Sequence, residues 1–170
     1  MLIKTCHSPD EIGYLYGVLQ MLKAKGPAVE IGVWNGGTAQ IIQKELGGEL
    51  HLFDTFTGIT GYQAEEGWPD GQYRAELSEV KLNVPGAVFH KGDITINKDE
   101  APLKIAFVHF DLDVFLPLKA SLKFFYDRLE KGGVMLVSNV DDAHPGVQRA
   151  VKEFGLPYKT YSRYALYGKN

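Results

Sequence analysis

The sequence has little cysteine and no excess of positive charge. Its one cysteine, Cys6, cannot form a disulfide within the chain, which is typical of a reducing compartment, and we expect a cytoplasmic protein. The 18 Lys and Arg residues are outnumbered by 21 Asp and Glu residues, so the net charge is -3. A surface of this sign does not favour a polyanion, which argues against a nucleic-acid partner.

Long apolar runs are also absent. No segment approaches the roughly 20 apolar residues of a membrane-spanning helix, which argues against a membrane partner. The first residues include His7, Asp10 and Glu11 and lack the apolar run of a signal peptide. A chain of 170 residues is long enough for one domain with its own core. We therefore expect residues 1–170 to form a single domain.

Short apolar segments alternate with helical ones along most of the chain. We predict strands at 28–31, 50–53, 88–91, 105–110 and 134–137, and helices at about 9–25, 38–46, 73–83, 116–129 and 145–154. This alternation predicts an α/β fold, with one Rossmann-like doubly wound sheet that is mainly parallel. The tail alternates like two strands without a helix between them, which predicts a C-terminal antiparallel hairpin. The parts are an N-terminal helical segment (1–27), a cofactor-binding core (28–154) and an edge hairpin (155–170).

Polar side chains stand at the ends of the predicted strands. They are Glu30, Asp54, Asp93, Asp111, Asp113, Ser138 and Asn139. In a doubly wound sheet, ligands bind beyond the carboxyl ends of the strands. We therefore expect a site at this edge of the sheet.

The segment VEIGVWNGGTA (29–39) predicts a glycine-rich turn between a strand and a helix. It lacks the lysine of a nucleoside-triphosphate loop, and its glycine spacing differs from G-x-G-x-x-G. Glu30 would also repel a phosphate. S-adenosylmethionine fits better, because it carries two cationic groups and a carboxylate that can accept N–H groups at a helix N-terminus. Asp54 would then bind the ribose hydroxyls; the alternative is a tight turn with no ligand.

The residues Glu30, Gly32, Gly36 and Thr38 resemble motif I of the class I S-adenosylmethionine-dependent methyltransferases. Further segments are similar to the macrocin O-methyltransferase family, the sugar methylators of macrolide biosynthesis: HLFDTFTG (51–58), GQYRAELSEVKLNV (71–84), VHFDLDVFLPLKASLKFFYDRLEKGGVMLV (108–137) and HPGVQRAVKEF (144–154). The resemblance covers about 29–154. It implies methyl transfer from S-adenosylmethionine to a hydroxyl of a small molecule or saccharide.

The resemblance also implies cofactor-binding residues. Glu30, Gly32, Gly36 and Thr38 would line the methionine end, Asp54 would hold the ribose, Thr55 would border the adenosine, Asp93 and Ile94 would lie by the adenine, and Asp111 would face the sulfonium. For Asp93, the alternative is an aspartate that only caps a turn.

For catalysis we predict Asp111, with Asp113 as the competing carboxylate and His144 as the best histidine. In the family, a carboxylate at the place of Asp111 and an aspartate pair after the fifth strand are associated with a divalent metal. Here Ser138 and Asn139 stand at the place of that pair, so Mg²⁺ would be held only by Asp111 and Asn139, and an amide is a poor replacement for a carboxylate. The alternatives are a metal-independent methyltransferase of another acceptor class and a cofactor-binding module that has lost catalysis.

The acceptor site is predicted in the polar, glycine-rich loop 57–72, where Tyr62 and Trp68 are candidate apolar contacts. Tyr14 and Tyr16 of the first helix are candidates for covering the site. The family has more chain before motif I, where a lid would lie. One hypothesis is therefore a homodimer that completes the site across its interface.

Overall fold

The computed structural model describes residues 3–60 and 67–170. In this part of the chain, seven strands form one sheet with helices on both faces. The strands are Ala28–Ile31 (β1), Leu50–Asp54 (β2), Val88–Lys91 (β3), Ile105–Phe110 (β4), Leu129–Val137 (β5), Lys159–Tyr161 (β6) and Tyr164–Gly168 (β7). The helices are Pro9–Met21 (α1), Gly37–Leu46 (α2), Leu77–Asn83 (α3), Ile94–Asn97 (α4), Phe115–Arg128 (α5) and Pro145–Phe154 (α6).

The sheet has the strand order β3-β2-β1-β4-β5-β7-β6. The first five strands in this order are parallel, and Ile31 of β1 lies between Phe53 of β2 and Phe110 of β4. β7 runs antiparallel to β5 and to β6. The chain moves outward from β1 to β3 and then returns to β4, so the switch point lies between β1 and β4. The predicted doubly wound sheet with an antiparallel C-terminal hairpin is confirmed.

Both faces of the central strands are covered. Every residue of β1 and β4 is buried, as expected for parallel strands between two helix layers. Helices α1, α2 and α3 pack on one face, where Leu15 and Ile42 are fully buried. Helices α4, α5 and α6 pack on the other face, where Leu118 and Phe125 are fully buried. None of the helices in residues 3–60 and 67–170 is both long and apolar enough to cross a membrane.

Helix α1 begins where its sequence signals predict. Ser8 is the N-cap: its hydroxyl accepts from the Glu11 N–H, and the Glu11 carboxylate accepts from the Ser8 N–H at 2.7 Å. The predicted end near residue 25 is wrong, because the helix ends at Met21. Leu22 is extended, and the Ala24 N–H donates to the Gly132 carbonyl of β5 instead of to a carbonyl of the helix.

Two other boundaries differ from the sequence prediction by several residues, and one short helix was not predicted. β5 begins at Leu129 rather than at 134, because Leu129 pairs with Ile105 before an irregularity in the ladder. α3 begins at Leu77 rather than at 73, since Tyr73 has a φ of 62° that no helix contains. The short helix α4 was not predicted; the Asp93 side chain caps it by accepting from the Thr95 N–H at 2.9 Å.

Candidate functional site

A cavity of about 310 Å³ opens at the carboxyl ends of the parallel strands. Its walls are built by the segments that follow β1, β2, β3, β4 and β5. The lining residues predicted from the sequence are Gly32, Thr38, Asp54, Thr55, Trp68, Asp93, Ile94, Asp111, Asp113, Asn139 and His144. The cavity lies at the switch point, where this fold leaves a crevice between the outgoing and returning halves of the chain.

The glycine turn lies against the end of β4. Gly32 has a φ of 85°, and a Cβ built there would lie 2.8 Å from the Asp111 carbonyl carbon. A side chain at position 32 would therefore separate the turn from Asp111. The requirement for glycine comes from this close approach as well as from the left-handed backbone.

Asp54 stabilises the same turn from the end of β2. Its Oδ2 accepts from the backbone N–H groups of Val33 at 2.7 Å and Trp34 at 2.9 Å, and its Oδ1 accepts from Phe56 N–H at 2.7 Å. A carboxylate offers about four acceptor positions. Asp54 can therefore shape the turn and still accept a hydrogen bond from a ligand in the cavity.

Asp93 occupies a position that is compatible with both roles that the sequence left open. It lines the cavity, and its side chain also caps α4. Ile94 lines the cavity beside it, and so does Thr55, whose hydroxyl donates to the Gly58 carbonyl at 3.1 Å.

The structure corrects the expected positions of Glu30 and Gly36, neither of which is among the described residues that line the cavity. The Glu30 carboxylate is fully buried and lies 2.8 Å from His109 Nδ1 on the neighbouring strand. A Cβ at Gly36 would lie 2.9 Å from a methyl group of Val84, so this glycine faces α3 instead.

Carboxylates, an amide and an imidazole form a cluster on the β4–β5 side of the cavity. Asn139 Nδ2 donates to Asp111 Oδ1 at 3.2 Å and to Asp113 Oδ1 at 3.0 Å. His144 Nε2 lies 3.3 Å from Asp113 Oδ1, and His144 Nδ1 lies 2.6 Å from Asp141 Oδ1. Burial raises the pKa of Asp113, and the hydrogen bond with Asp113 is the main cause of a raised pKa of His144. The cluster can therefore bind a proton more firmly than an isolated imidazole does.

The donor set fits a divalent metal poorly. The Asn139 amide nitrogen, a hydrogen-bond donor, lies between the two carboxylates where a cation would need oxygen ligands. Asp141 pairs with His144, and Asp142 accepts from Gln148 at 3.1 Å, so neither replaces the expected aspartate pair. Across residues 3–60 and 67–170, no group of three or more His, Cys, Asp or Glu side chains is arranged to hold a metal ion.

The N-terminal strap, residues 3–7, forms a wall of the cavity that the sequence did not predict. Lys4, Thr5 and Cys6 line the cavity. A Cβ at Gly37 would lie 2.7 Å from the Lys4 carbonyl oxygen, so the strap packs directly on the start of α2. No periodicity or motif in this short segment indicated the contact. The only indication in the sequence was that the strap directly precedes the N-cap residue Ser8.

Arg163, in the turn between β6 and β7, also lines the cavity without having been predicted. Its Nε donates to Glu11 Oε1 at 2.6 Å, which ties the hairpin to α1. Tyr14 and Tyr16, which were candidates for covering the site, are not among the described lining residues. Tyr14 instead stacks on Tyr161 with a ring separation of 4.3 Å.

Aromatic rings form a further wall. Trp34, Trp68 and Tyr73 line the cavity, with Trp34 and Tyr73 edge to face at 5.8 Å between ring centroids. Trp68 stacks on His144 at 5.3 Å, which places an indole face beside the acid–imidazole cluster. Tyr62, the other predicted acceptor contact, lies outside the described residues.

Comparison with solved structures identifies the fold. The O-methyltransferase NovP matches with a TM-score of 0.78 and 18% identity over 94% of this chain and 79% of that chain. The apo structure of CalS11, a TDP-rhamnose 3'-O-methyltransferase of calicheamicin biosynthesis, matches with a TM-score of 0.64 and 26% identity over 92% and 76%. An rRNA methylase from Streptococcus thermophilus matches with a TM-score of 0.62 and 14% identity over 98% and 99%. No protein-family model and no curated protein sequence matches this chain.

The fold of the chain is similar to that of the matching methyltransferases. The resemblance predicted from the motifs is confirmed at this level, and sugar O-methyltransferases are among the matching structures. The rRNA methylase match shows that the same fold serves an acceptor of a different class.

Proposed function

We propose that this protein transfers a methyl group from S-adenosylmethionine to a hydroxyl of a small molecule or saccharide. The observation that carries the proposal is the cavity at the switch point, where the glycine turn, Asp54 and Asp111 meet. Two O-methyltransferases among the structural matches support it. The net charge of -3 favours a small acceptor over RNA.

The cofactor would occupy the side of the cavity formed by β1, β2 and β3. Gly32 and Thr38 would meet its methionine end, Asp54 its ribose, and Asp93 with Ile94 its adenine. When bound, S-adenosylmethionine supplies an electrophilic methyl group on a positively charged sulfur. The carboxylates at the cavity edge, Asp111 among them, favour that positive charge.

The acceptor would bind on the opposite side, between the acid–imidazole cluster and the aromatic wall. The acceptor oxygen forms a bond to the methyl carbon as the methyl–sulfur bond breaks, and the hydroxyl proton passes to a base. Asp111 is the proposed base and positioning group, with His144 as the second candidate. The Trp68 face next to His144 suits the apolar face of a sugar ring or another small cyclic alcohol. Because the donor set fits Mg²⁺ poorly, no step here uses a metal.

Calorimetry with S-adenosylmethionine and S-adenosylhomocysteine tests the cofactor, and methyl transfer to a panel of hydroxylated small molecules and saccharides tests the reaction. We expect micromolar binding and turnover of at least one acceptor. Asp111→Asn should abolish turnover and leave the affinity for S-adenosylhomocysteine, which has no sulfonium charge, nearly unchanged. Asp99→Asn, at an exposed site away from the cavity, should behave as the wild type. Absence of binding to either ligand would overturn the proposal.

Binding without turnover of any acceptor would favour the alternative of a cofactor-binding module that has lost catalysis. The same assays with a chelator, with and without added Mg²⁺, test the metal. Activity that a chelator stops and Mg²⁺ restores would contradict a metal-independent reaction. The homodimer and the cytoplasmic location stay predictions; light scattering that gives a monomer at high concentration would remove the first.

A further inference from the structure

A file of buried polar side chains runs beneath the cavity and ends at Asp111. Glu30 Oε1 lies 2.8 Å from His109 Nδ1, and His109 Nε2 lies 2.8 Å from Ser138 Oγ. Ser138 Oγ is 3.3 Å from His7 Nε2, and His7 Nδ1 is 3.8 Å from Asp111 Oδ2. Glu30, His109 and Ser138 are fully buried, and His7 is 8% exposed. We call Glu30, His109, Ser138 and His7 the buried file.

The buried file connects three strands to the N-terminal strap. Glu30 on β1 lies opposite His109 on β4, and Ser138 follows β5. None of its members is among the described residues that line the cavity. Burying a carboxylate and an imidazole in a sheet costs more than burying apolar side chains of the same size. A role in orienting the Asp111 carboxylate would account for polar residues at these positions.

The hydrogen-bond geometry constrains where the protons lie. Burial would lower the pKa of His109, but the hydrogen bond with Glu30 raises it overall, and burial raises the pKa of Glu30. Both side chains are fully buried, which favours a pair without net charge. In such a pair His109 Nε2 carries a proton whichever partner holds the proton between them, so Nε2–H donates to Ser138 Oγ. A serine hydroxyl has one proton, and His7 Nε2 can accept it. The remaining proton of a neutral His7 is then on Nδ1, which lies 3.1 Å from Thr5 Oγ1 and 3.8 Å from Asp111 Oδ2.

We propose that His7 is a positioning residue for Asp111, and that the buried file holds it as the Nδ1–H tautomer. The inference rests on the proposed function. The Nε2–H tautomer would present a lone pair to a carboxylate, which is repulsive. The Nδ1–H group of the other tautomer donates to Thr5 Oγ1 at 3.1 Å and attracts Asp111 Oδ2 electrostatically across 3.8 Å. The Asn139 amide donates to Asp111 Oδ1 at 3.2 Å. Asp111 is thus oriented from two sides before an acceptor binds.

The groups around His7 are consistent with a neutral ring. Asp111, His109, Arg163 and Glu11 are the charged or titratable groups that act on it, and the Tyr164 ring stacks on it at 5.7 Å. Burial lowers the pKa of His7. A neutral imidazole has one proton, so the hydrogen bond at one nitrogen decides what the other presents.

Nitrogen-15 NMR of the histidine rings at constant pH tests the tautomer directly. We expect His7 as Nδ1–H in the wild type. Ser138→Ala removes the hydroxyl that donates to Nε2, so His7 should shift mainly to Nε2–H. The control Ser121→Ala removes another fully buried serine hydroxyl, one that bonds to the Pro117 carbonyl in α5, and should leave His7 unchanged. A wild-type His7 in the Nε2–H form, or a tautomer unaffected by Ser138→Ala, would overturn the proposal.

Turnover of an accepted substrate gives the second readout. Ser138→Ala should lower kcat about tenfold, a part of the roughly 10²–10⁴-fold that a positioned proton-transfer group contributes, with the KM for S-adenosylmethionine within about twofold. His7→Asn keeps an N–H donor near the place of Nδ1 and should be more active than His7→Phe, which keeps only the ring. Equal activity of the two would contradict a positioning role. Failure to bind S-adenosylhomocysteine would instead overturn the proposed function, and the tautomer would still be measurable.

Discussion

Substituting Gly32 with alanine tests the contact that brings the glycine turn to Asp111. Gly32 has a φ of 85°, and an alanine Cβ would lie 2.8 Å from the Asp111 carbonyl carbon. The left-handed backbone costs an L-residue about 1–2 kcal/mol, and forcing a methyl group into a packed site typically costs about 1–3 kcal/mol. We therefore expect Gly32→Ala to lower the free energy of unfolding by roughly 2–5 kcal/mol.

Gly47→Ala is the matched control for the backbone term. Gly47 ends α2 with a φ of 62°, and no heavy atom lies within 4 Å of a Cβ built there. It should cost only the backbone term of about 1–2 kcal/mol. The difference between the two variants, about 1–3 kcal/mol, then measures the clash with Asp111.

Urea unfolding followed by circular dichroism measures the free energy of unfolding of both variants, and calorimetry measures their affinity for S-adenosylhomocysteine. Relief of the clash must move either the turn or Asp111. Gly32→Ala should therefore bind at least about tenfold more weakly, or ~1.4 kcal/mol, while Gly47→Ala binds as the wild type. Equal destabilisation of the two variants with equal affinity would refute the close approach as the reason for glycine at position 32.

Three further predictions address the site and its surroundings. Asp54→Ala removes three hydrogen bonds from the turn, so urea unfolding should show a loss of at least about 2 kcal/mol; an unchanged midpoint would contradict this. Asp113→Asn should lower the pKa of His144 in an NMR titration, because the hydrogen bond that His144 donates to Asp113 is the main cause of its raised value; an unchanged pKa would rule out that cause. Burial lowers the pKa of His51, so the unfolded chain binds a proton near pH 6.5 that the native state binds only at lower pH. Stability should thus fall as the pH drops below about 6.5, and less in His51→Gln than in the wild type; equal losses in thermal unfolding would argue against this.

Most elements of the fold were predictable because their signals are local. The Ser8 cap, the proline of α1 and the continuous apolar strands are read within a few residues, and the structure has them at the predicted starts. The start of β5 was missed because pairing with Ile105 decides it. The start of α3 was missed because the composition from residue 73 onward is helical, whereas Tyr73 adopts a positive φ that excludes it from the helix.

The site was predictable in part for the same reason. Asp54, Asp93 and Asp111 follow parallel strands, and strand ends in such a sheet meet at one edge. Glu30 was wrongly assigned to the cavity because it too stands near a strand end. Only the pairing of β1 with β4 shows that its carboxylate contacts the buried His109 instead. The strap was missed because His7 and Ser138 are 131 residues apart in sequence.

The sequence by itself determined the class of fold, the order of its strands and helices, and the cavity edge where acids would gather, since these follow from periodicity and glycine and proline positions along the chain. Tertiary structure alone decided which polar groups face the cavity and which become buried partners. It placed the Asn139 amide between two carboxylates, aligned the buried file and brought the strap onto the glycine turn. The physical reason is that a hydrogen bond between distant segments depends on sheet order and packing, and neither leaves a local pattern in the chain.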